Sequence, residues 1–155
     1  EDLLIFEEVE EEITGEKIIP HVIETSFGID RITYSVLLHS FTETEGKDYF
    51  KFDKSVAPVQ LGIFPLVNKE GPREVAQKLA DDFRMAGFKV EYDASGTIGK
   101  RYARADEIGI PLAITVDFDT LEDNQVTVRD RDTEAQERIP IAELADYVEK
   151  YYKWV

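Results

Sequence analysis

Three groups of charged side chains in this sequence stand at spacings that could do chemistry. The densest holds Asp93, Ser95, Lys100, Arg101 and Arg104. Ser95 and Thr97 can cap a helix, because their hydroxyls can accept from the free N–H groups of a first turn. Ile98, Tyr102 and Ala105 recur at spacings of four and three, which makes one apolar helical face. Lys100, Arg101 and Arg104 are expected together on another face. A capped, basic helix N-terminus suits phosphate, and ligands of open α/β sheets bind at the carboxyl ends of strands. The competing reading is a solvated amphipathic helix. The second group is Arg129-Asp130-Arg131-Asp132, which by itself reads as a strand-end ladder of alternating charge. The third, Glu24, Ser26 and Arg31, by itself reads as a capped helix with a surface ion pair.

The elements that must carry these groups follow from periodicity. Residues 1–25 read as two extended runs about a turn at Thr14-Gly15-Glu16. Ser26 to Phe41 reads as a helix with Ser26 as its cap. Its apolar residues, among them Ile29, Ile32, Leu37 and Phe41, nearly encircle it, and such a helix is normally buried. Residues 42–57 are polar, with Tyr49, Phe50 and Phe52 as anchors, and read as a connection. Val59–Phe64, Phe88–Tyr92 and Leu112–Val116 are expected strands. Pro72–Ala86 is an expected helix, with proline in its first turn and Gly87 past its end. Val126 and Val128 alternate with polar residues, which predicts a half-exposed antiparallel edge strand. Glu137–Ile139 is a short strand candidate. A last helix opens at Pro140, with Trp154, Tyr151 and Tyr152 docking it. Strand–helix alternation implies parallel pairing with right-handed crossovers. The expected fold is therefore α/β, a three-layer domain with a mixed, mostly parallel sheet flanked by helices. The expected boundaries are residues 1–42 as a strand–helix unit, 43–56 as a linker and 57–155 as the three-layer domain.

Composition narrows the partners. The 155 residues, 43% of them hydrophobic, allow a real core. No run reaches the roughly 18 apolar residues that span a bilayer, so no membrane partner is expected. Without cysteine there is no disulfide and no thiolate metal site. His21 and His39 read as packing or hydrogen-bonding residues, and no metal site is expected. A net charge of −15 opposes non-specific nucleic-acid binding. DNA is thus not an expected partner, and any RNA site must be a local basic patch. Residues 1–16 hold eight acids and no base. The chain opens at Glu1 on strand-like residues and is expected to be the tail of a longer protein.

Two stretches resemble a known family. Pro20-His21-Val22-Ile23-Glu24-Thr25-Ser26-Phe27-Gly28-Ile29-Asp30-Arg31 resembles the third signature motif of class II aminoacyl-tRNA synthetases. Its wording is that of glycyl-tRNA synthetases of the archaeal and eukaryotic type, with Thr25 where proline is usual. Asp93 to Gly109 resembles the Asp-Ser-Gly-Ser-Ile-Gly-Arg-Arg-Tyr-Ala-Arg segment of their anticodon-binding domain. Val56–Pro58, Val116–Leu121 and Val128–Asp132 match further on.

The resemblance implies a C-terminal piece of the catalytic domain followed by a complete anticodon-binding domain. It places Arg31 on ATP, Glu24 on the glycine ammonium and Ser26 in the small glycine pocket. Gly28 would let the backbone approach the nucleotide. The parent enzyme would use ATP with Mg²⁺, be a homodimer and be cytoplasmic. With the first and second class II motifs missing, the chain alone is expected to be inactive and to need no cofactor. The implied partners are the anticodon loop of tRNA(Gly) and the remainder of the catalytic domain. Arg101, Arg104, Arg129 and Arg131 would supply planar guanidinium groups, Lys100 a charge for phosphate, and Asp93, Ser95, Asp130 and Asp132 acceptors for base amines.

Two other functions compete. One is a stand-alone paralogue acting in protein interaction or dimerisation, which the acidic balance suits. The other is a flavodoxin-like binder holding a phosphate at Ser95-Gly96-Thr97.

Overall fold

The computed structural model describes residues 15, 18–44 and 46–153. Most of the expected turn about Gly15, and Trp154, lie outside them. The centre of the fold is a five-stranded sheet built around two runs that are apolar on both faces. These are β3 (Leu61–Pro65) and β5 (Leu112–Val116), every residue of which is buried. Such continuous burial is the mark of strands covered on both sides. Beside β3 lies β4 (Val90–Tyr92), and beyond β5 come β6 (Gln125–Asp130) and β7 (Gln136–Pro140), in the order β4-β3-β5-β6-β7. The sheet is mixed, as expected. Its pairings divide evenly, with β3 parallel to both β4 and β5, and β6 antiparallel to both β5 and β7.

Side chains alternate between the faces with period two. Leu61, Ile63, Leu112, Ile114, Val116, Val126 and Val128 form one core with α2 (Pro72–Met85) and α5 (Ile141–Tyr152). Phe64 and Ala113 point the other way, against Ala105 of α3 (Ile98–Glu107) and Ile110. Gly62 leaves room on that second face, where a Cβ would stand 2.6 Å from Cζ of Phe64. Tyr151 and Tyr152 dock α5 as expected, donating to Asp130 Oδ2 at 2.8 Å and to the Gln60 carbonyl at 2.6 Å.

Three expectations need correction. The strand at Val126 and Val128 is antiparallel but internal, because β7 pairs outside it and takes the edge. The stretch expected as a linker contains a hairpin, β1 (Phe41–Thr44) with β2 (Lys47–Phe50). This hairpin closes on the main domain where Phe50 stacks on the buried Phe52 at 5.0 Å. Gly109, with φ +80, makes that approach possible, since a Cβ there would meet the Phe52 ring and lie 2.8 Å from the Phe50 carbonyl.

The third correction concerns the first helix, α1 (Ile29–Ser40). It starts after Gly28 with no side-chain cap, so Ser26 does not cap it. It is not buried, with Ile29 78%, Tyr34 67% and Leu38 60% exposed. An apolar circumference states a need for partners, and the described residues do not supply them. Residues 18–28 show no strand pairing among the described residues.

Candidate nucleic-acid interface

The expected site residues separate to opposite ends of the sheet. Leu112, the first residue of β5, pairs with Asp130, the last of β6. The Arg129–Asp132 run therefore lies at the amino ends of the parallel strands. Asp93 follows β4 and so lies at the carboxyl ends, beside the start of α3. Between the two ends lies α3, ten residues or about 15 Å long at the usual helical rise.

At the carboxyl ends, Asp93, Ser95 and Arg104 form a closed cluster. Asp93 Oδ1 accepts from the Ser95 N–H at 2.7 Å and its hydroxyl at 2.8 Å. Its Oδ2 accepts from Arg104 Nε at 3.0 Å and from Arg104 Nη2. All the lone-pair sites of the carboxylate are used, which leaves none for a base amine. Burial works to raise the Asp93 pKa, but the Ser95 and Arg104 donors outweigh it and hold the carboxyl below its usual range. A lowered folded-state pKa stabilises above the unfolded value, so the cluster is intact at neutral pH and loses this support as the pH falls into the acid range.

The caps expected of Ser95 and Thr97 are absent. Thr97 occupies the N-cap position of α3 without a side-chain hydrogen bond, and the Ser95 hydroxyl goes to Asp93. A phosphate cradle at Ser95-Gly96-Thr97 loses support accordingly, because the Ser95 N–H is spent and a carboxylate sits against it.

Arg101 turns inward. It is 2% exposed and donates to the Pro65 carbonyl and, at 2.9 Å, to that of Gly96. It thus ties the end of β3 to the loop before α3 and does not face RNA. The signal was present in the sequence: Arg101 lies three residues after Ile98 and four before Ala105, on the apolar stripe. Lys100 is exposed, with no hydrogen bond or ion pair among the described residues.

Sequence reasoning missed Phe118. It stands 46% exposed just past the end of β5, with Leu66 38% exposed past the end of β3. Asp117 fixes its loop, accepting from Thr120 N–H at 2.8 Å and from Arg138 Nη1 at 2.8 Å. The connections of β3 and β5 depart in opposite directions there, toward β4 and toward β6. That is the switch point where open sheets hold ligands. A rigid, exposed aromatic at that place can stack on an unpaired base.

At the amino ends the arginines belong to the scaffold. Arg129 is 7% exposed, pairs with buried Asp106 at 3.0 and 3.2 Å and lies 5.0 Å over the Tyr102 ring. Arg131 is 4% exposed and engages all its donors. They reach Asp132 at 2.9 and 3.1 Å, and the carbonyls of Gly109 at 2.9 Å, Phe52 at 2.8 Å and Phe50 at 3.3 Å. Asp130 is likewise filled, by Asp132 N–H, by the Thr133 N–H and hydroxyl, and by Tyr151. Neither arginine keeps a free fork for a base.

Glu24, Ser26, Gly28 and Arg31 are all exposed. His39 donates from Nδ1 to the Ser35 carbonyl, 2.8 Å away within its own helix.

A family model described as anticodon binding domain matches residues 60–151, from before β3 into α5. The chain belongs to that family. Among curated proteins, this anticodon-binding chain is 51% identical over 149 residues to the glycine–tRNA ligase of Methanococcus vannielii, covering 96% of this chain and 26% of that protein. It is 52% identical to that of Methanothermobacter thermautotrophicus, again over 96% of this chain and 26% of the relative. It thus spans about a quarter of the length of these relatives. A crystal structure of prolyl-tRNA synthetase from Cryptosporidium parvum, complexed with halofuginone and AMPPNP, matches with a TM-score of 0.61 and 28% identity. That match covers 66% of this chain and 22% of that one.

Proposed function

We propose that this chain recognises the anticodon loop of tRNA(Gly), as part of an ATP-dependent glycine–tRNA ligase. The observation that carries the reading is the anticodon-binding fold with Phe118 exposed at its switch point. Lys100 and the half-exposed Arg104 lie at the same end of the sheet, available to the loop's phosphates and bases. At net charge −15, long-range attraction to RNA is weak, and affinity comes from contacts within this patch.

The test titrates the tRNA(Gly) anticodon stem-loop against one with a scrambled loop. Specific binding is expected, and equal binding would remove the reading. Within this test, Lys100→Ala should weaken both loops alike and reduce the salt slope by about one unit or less. A loss confined to the cognate loop would instead make Lys100 a base reader.

The parent enzyme in this reading is a cytoplasmic homodimer that takes ATP with Mg²⁺. Glu24, Ser26, Gly28 and Arg31 would form one wall of its ATP and glycine pocket. Exposed as they are here, they do not enclose a nucleotide. Since acyl activation needs preorganised donors on all sides of the developing charge, the chain alone should show no glycine-dependent exchange of pyrophosphate into ATP. Exchange above background would contradict that. The exposed apolar face of α1 fits the same reading, as a surface that the remainder of the catalytic domain covers.

A further inference from the structure

The loop that carries Phe118 has little structure of its own. Between β5 and β6 it forms one turn of helix, α4 (Thr120–Asp123), which is too short to persist on its backbone bonds alone. Three tethers fix it from outside. Its far end is tied to the start of α5, where the Ile141 N–H donates to the Asn124 carbonyl at 2.9 Å. Its middle lies on the turn before α2, where Leu121 Cδ1 stands 2.8 Å from the place that a Cβ on Gly71 would take. Gly71 has φ +89, a conformation that glycine adopts without strain. The third tether is a single side chain, Arg138 of β7.

Arg138 spans the loop. Its Nη1 donates to Asp117 Oδ2 at 2.8 Å, immediately before Phe118. Its Nη2 donates to both oxygens of Asp123 at 3.0 and 2.9 Å and to the Gln125 carbonyl at 3.2 Å. Asp117 also accepts from the Thr120 N–H and hydroxyl at 2.8 and 2.9 Å. Burial works to raise the Asp117 pKa, but the Thr120 and Arg138 donors outweigh it and hold the carboxyl below its usual range. One guanidinium thus joins the two ends of the segment from which the Phe118 ring projects. Lysine could supply the charge but not the fork. The Arg138 side chain is 34% exposed, and ion pairs at such a surface contribute little to global stability. Their larger consequence here is the direction in which the loop points.

We propose that Arg138 is a positioning residue for RNA binding, which clamps Asp117 to Asp123 and so presents the Phe118 ring at the switch point. The proposal rests on the anticodon-loop reading and adds a residue that acts through Phe118 without touching a base. A ring held in place in the free protein spares the cost of ordering its loop on binding. Acids beside the RNA site therefore assist binding, although their charge opposes it.

The experiment titrates the tRNA(Gly) anticodon stem-loop against the full chain and its variants. Phe118→Ala should weaken binding about tenfold or more, the effect of one base stacked on an aromatic side chain. Arg138→Lys keeps the positive charge and should still weaken binding about threefold, the scale of ordering one loop side chain. Asp123→Ala removes an acid near the RNA, which by charge alone would tighten binding. It should instead weaken binding about twofold or more, because the clamp is lost. In the Phe118→Ala background neither change should weaken binding further, since residues that act through one another are not additive. Both positions lie at the surface, so folding is retained in either variant. Unchanged affinity in Arg138→Lys would overturn the proposal, as would tighter binding by Asp123→Ala with Phe118 in place. Equal losses from Arg138→Lys with and without Phe118 would also overturn it, and would leave Arg138 as a direct contact or a plain support of the fold. A stem-loop still preferred over the scrambled one, with Phe118→Ala binding as tightly as the unaltered chain, would sink this inference alone. A stem-loop bound no better than the scrambled one would sink the functional reading.

Discussion

Replacing Arg131 with alanine should destabilise the chain by about 3–4 kcal/mol and leave anticodon specificity unchanged. The residue is 4% exposed, and three of its acceptors are main-chain carbonyls that belong to different parts of the fold. Gly109 follows α3, while Phe50 and Phe52 lie at the exit of the β1–β2 hairpin. One planar fork therefore holds the hairpin, and with it α1, against the amino end of the sheet. A buried acceptor stripped of its donor costs about 1–3 kcal/mol, and partial entry of water keeps the total below the simple sum. Lysine is no substitute, because a single ammonium cannot span acceptors that a guanidinium reaches with a fixed fork. Urea denaturation followed by circular dichroism measures the loss. Titration at a temperature where the variant stays folded should show equal losses on the cognate and scrambled loops. A loss of stability under about 1 kcal/mol, joined to a loss of binding on the cognate loop alone, would restore Arg131 to base reading.

The sequence made the sheet legible because β3 and β5 are short apolar runs on either side of a helix with proline at its start and a basic helix with an apolar stripe. Strand–helix alternation then leaves few topologies. The function of individual arginines was not legible in the same way. Arg101 carried a local signal, since its spacing from Ile98 and Ala105 puts it on the inward face. Arg129 carried half of one: it alternates with Val126 and Val128, and so points to the opposite side of the sheet. Whether that side is wet or covered depends on α3, and the carboxylate that meets it, Asp106, is 23 positions away. No pattern in a single sequence announces such a pair. Phe118 failed for a different reason. An aromatic between two acids in a loop has no periodicity, and its exposure becomes visible only when Asp117, Thr120 and Arg138 are seen to hold the loop in place. The exposed α1 shows the limit of hydropathy itself, which registers apolar surface but not the presence of a partner to bury it.

Asp106 gives the second large effect. It lies 2% exposed on the inner side of α3 and receives both arms of Arg129 at 3.0 and 3.2 Å. Lys47 of β2 adds a contact at 2.7 Å, but its side chain is 34% exposed, and such outer pairs contribute little. Asp106→Ala should therefore cost about 3–5 kcal/mol, because it leaves the buried Arg129 with only the largely exposed Glu134, at 3.2 Å, as a counter-charge. The loss belongs to the under-compensated buried cation more than to the missing bond. Adding Arg129→Met should thus recover most of it. A methionine of similar reach fills the space and packs on the Tyr102 ring, which the guanidinium now covers at 5.0 Å. A double-mutant cycle in urea decides the matter. The two single variants should each be severely destabilised, and the double variant should lie much closer to the starting protein than their sum. If the two losses simply add, Asp106 and Arg129 act separately, and the buried pair is not what joins α3 to β6.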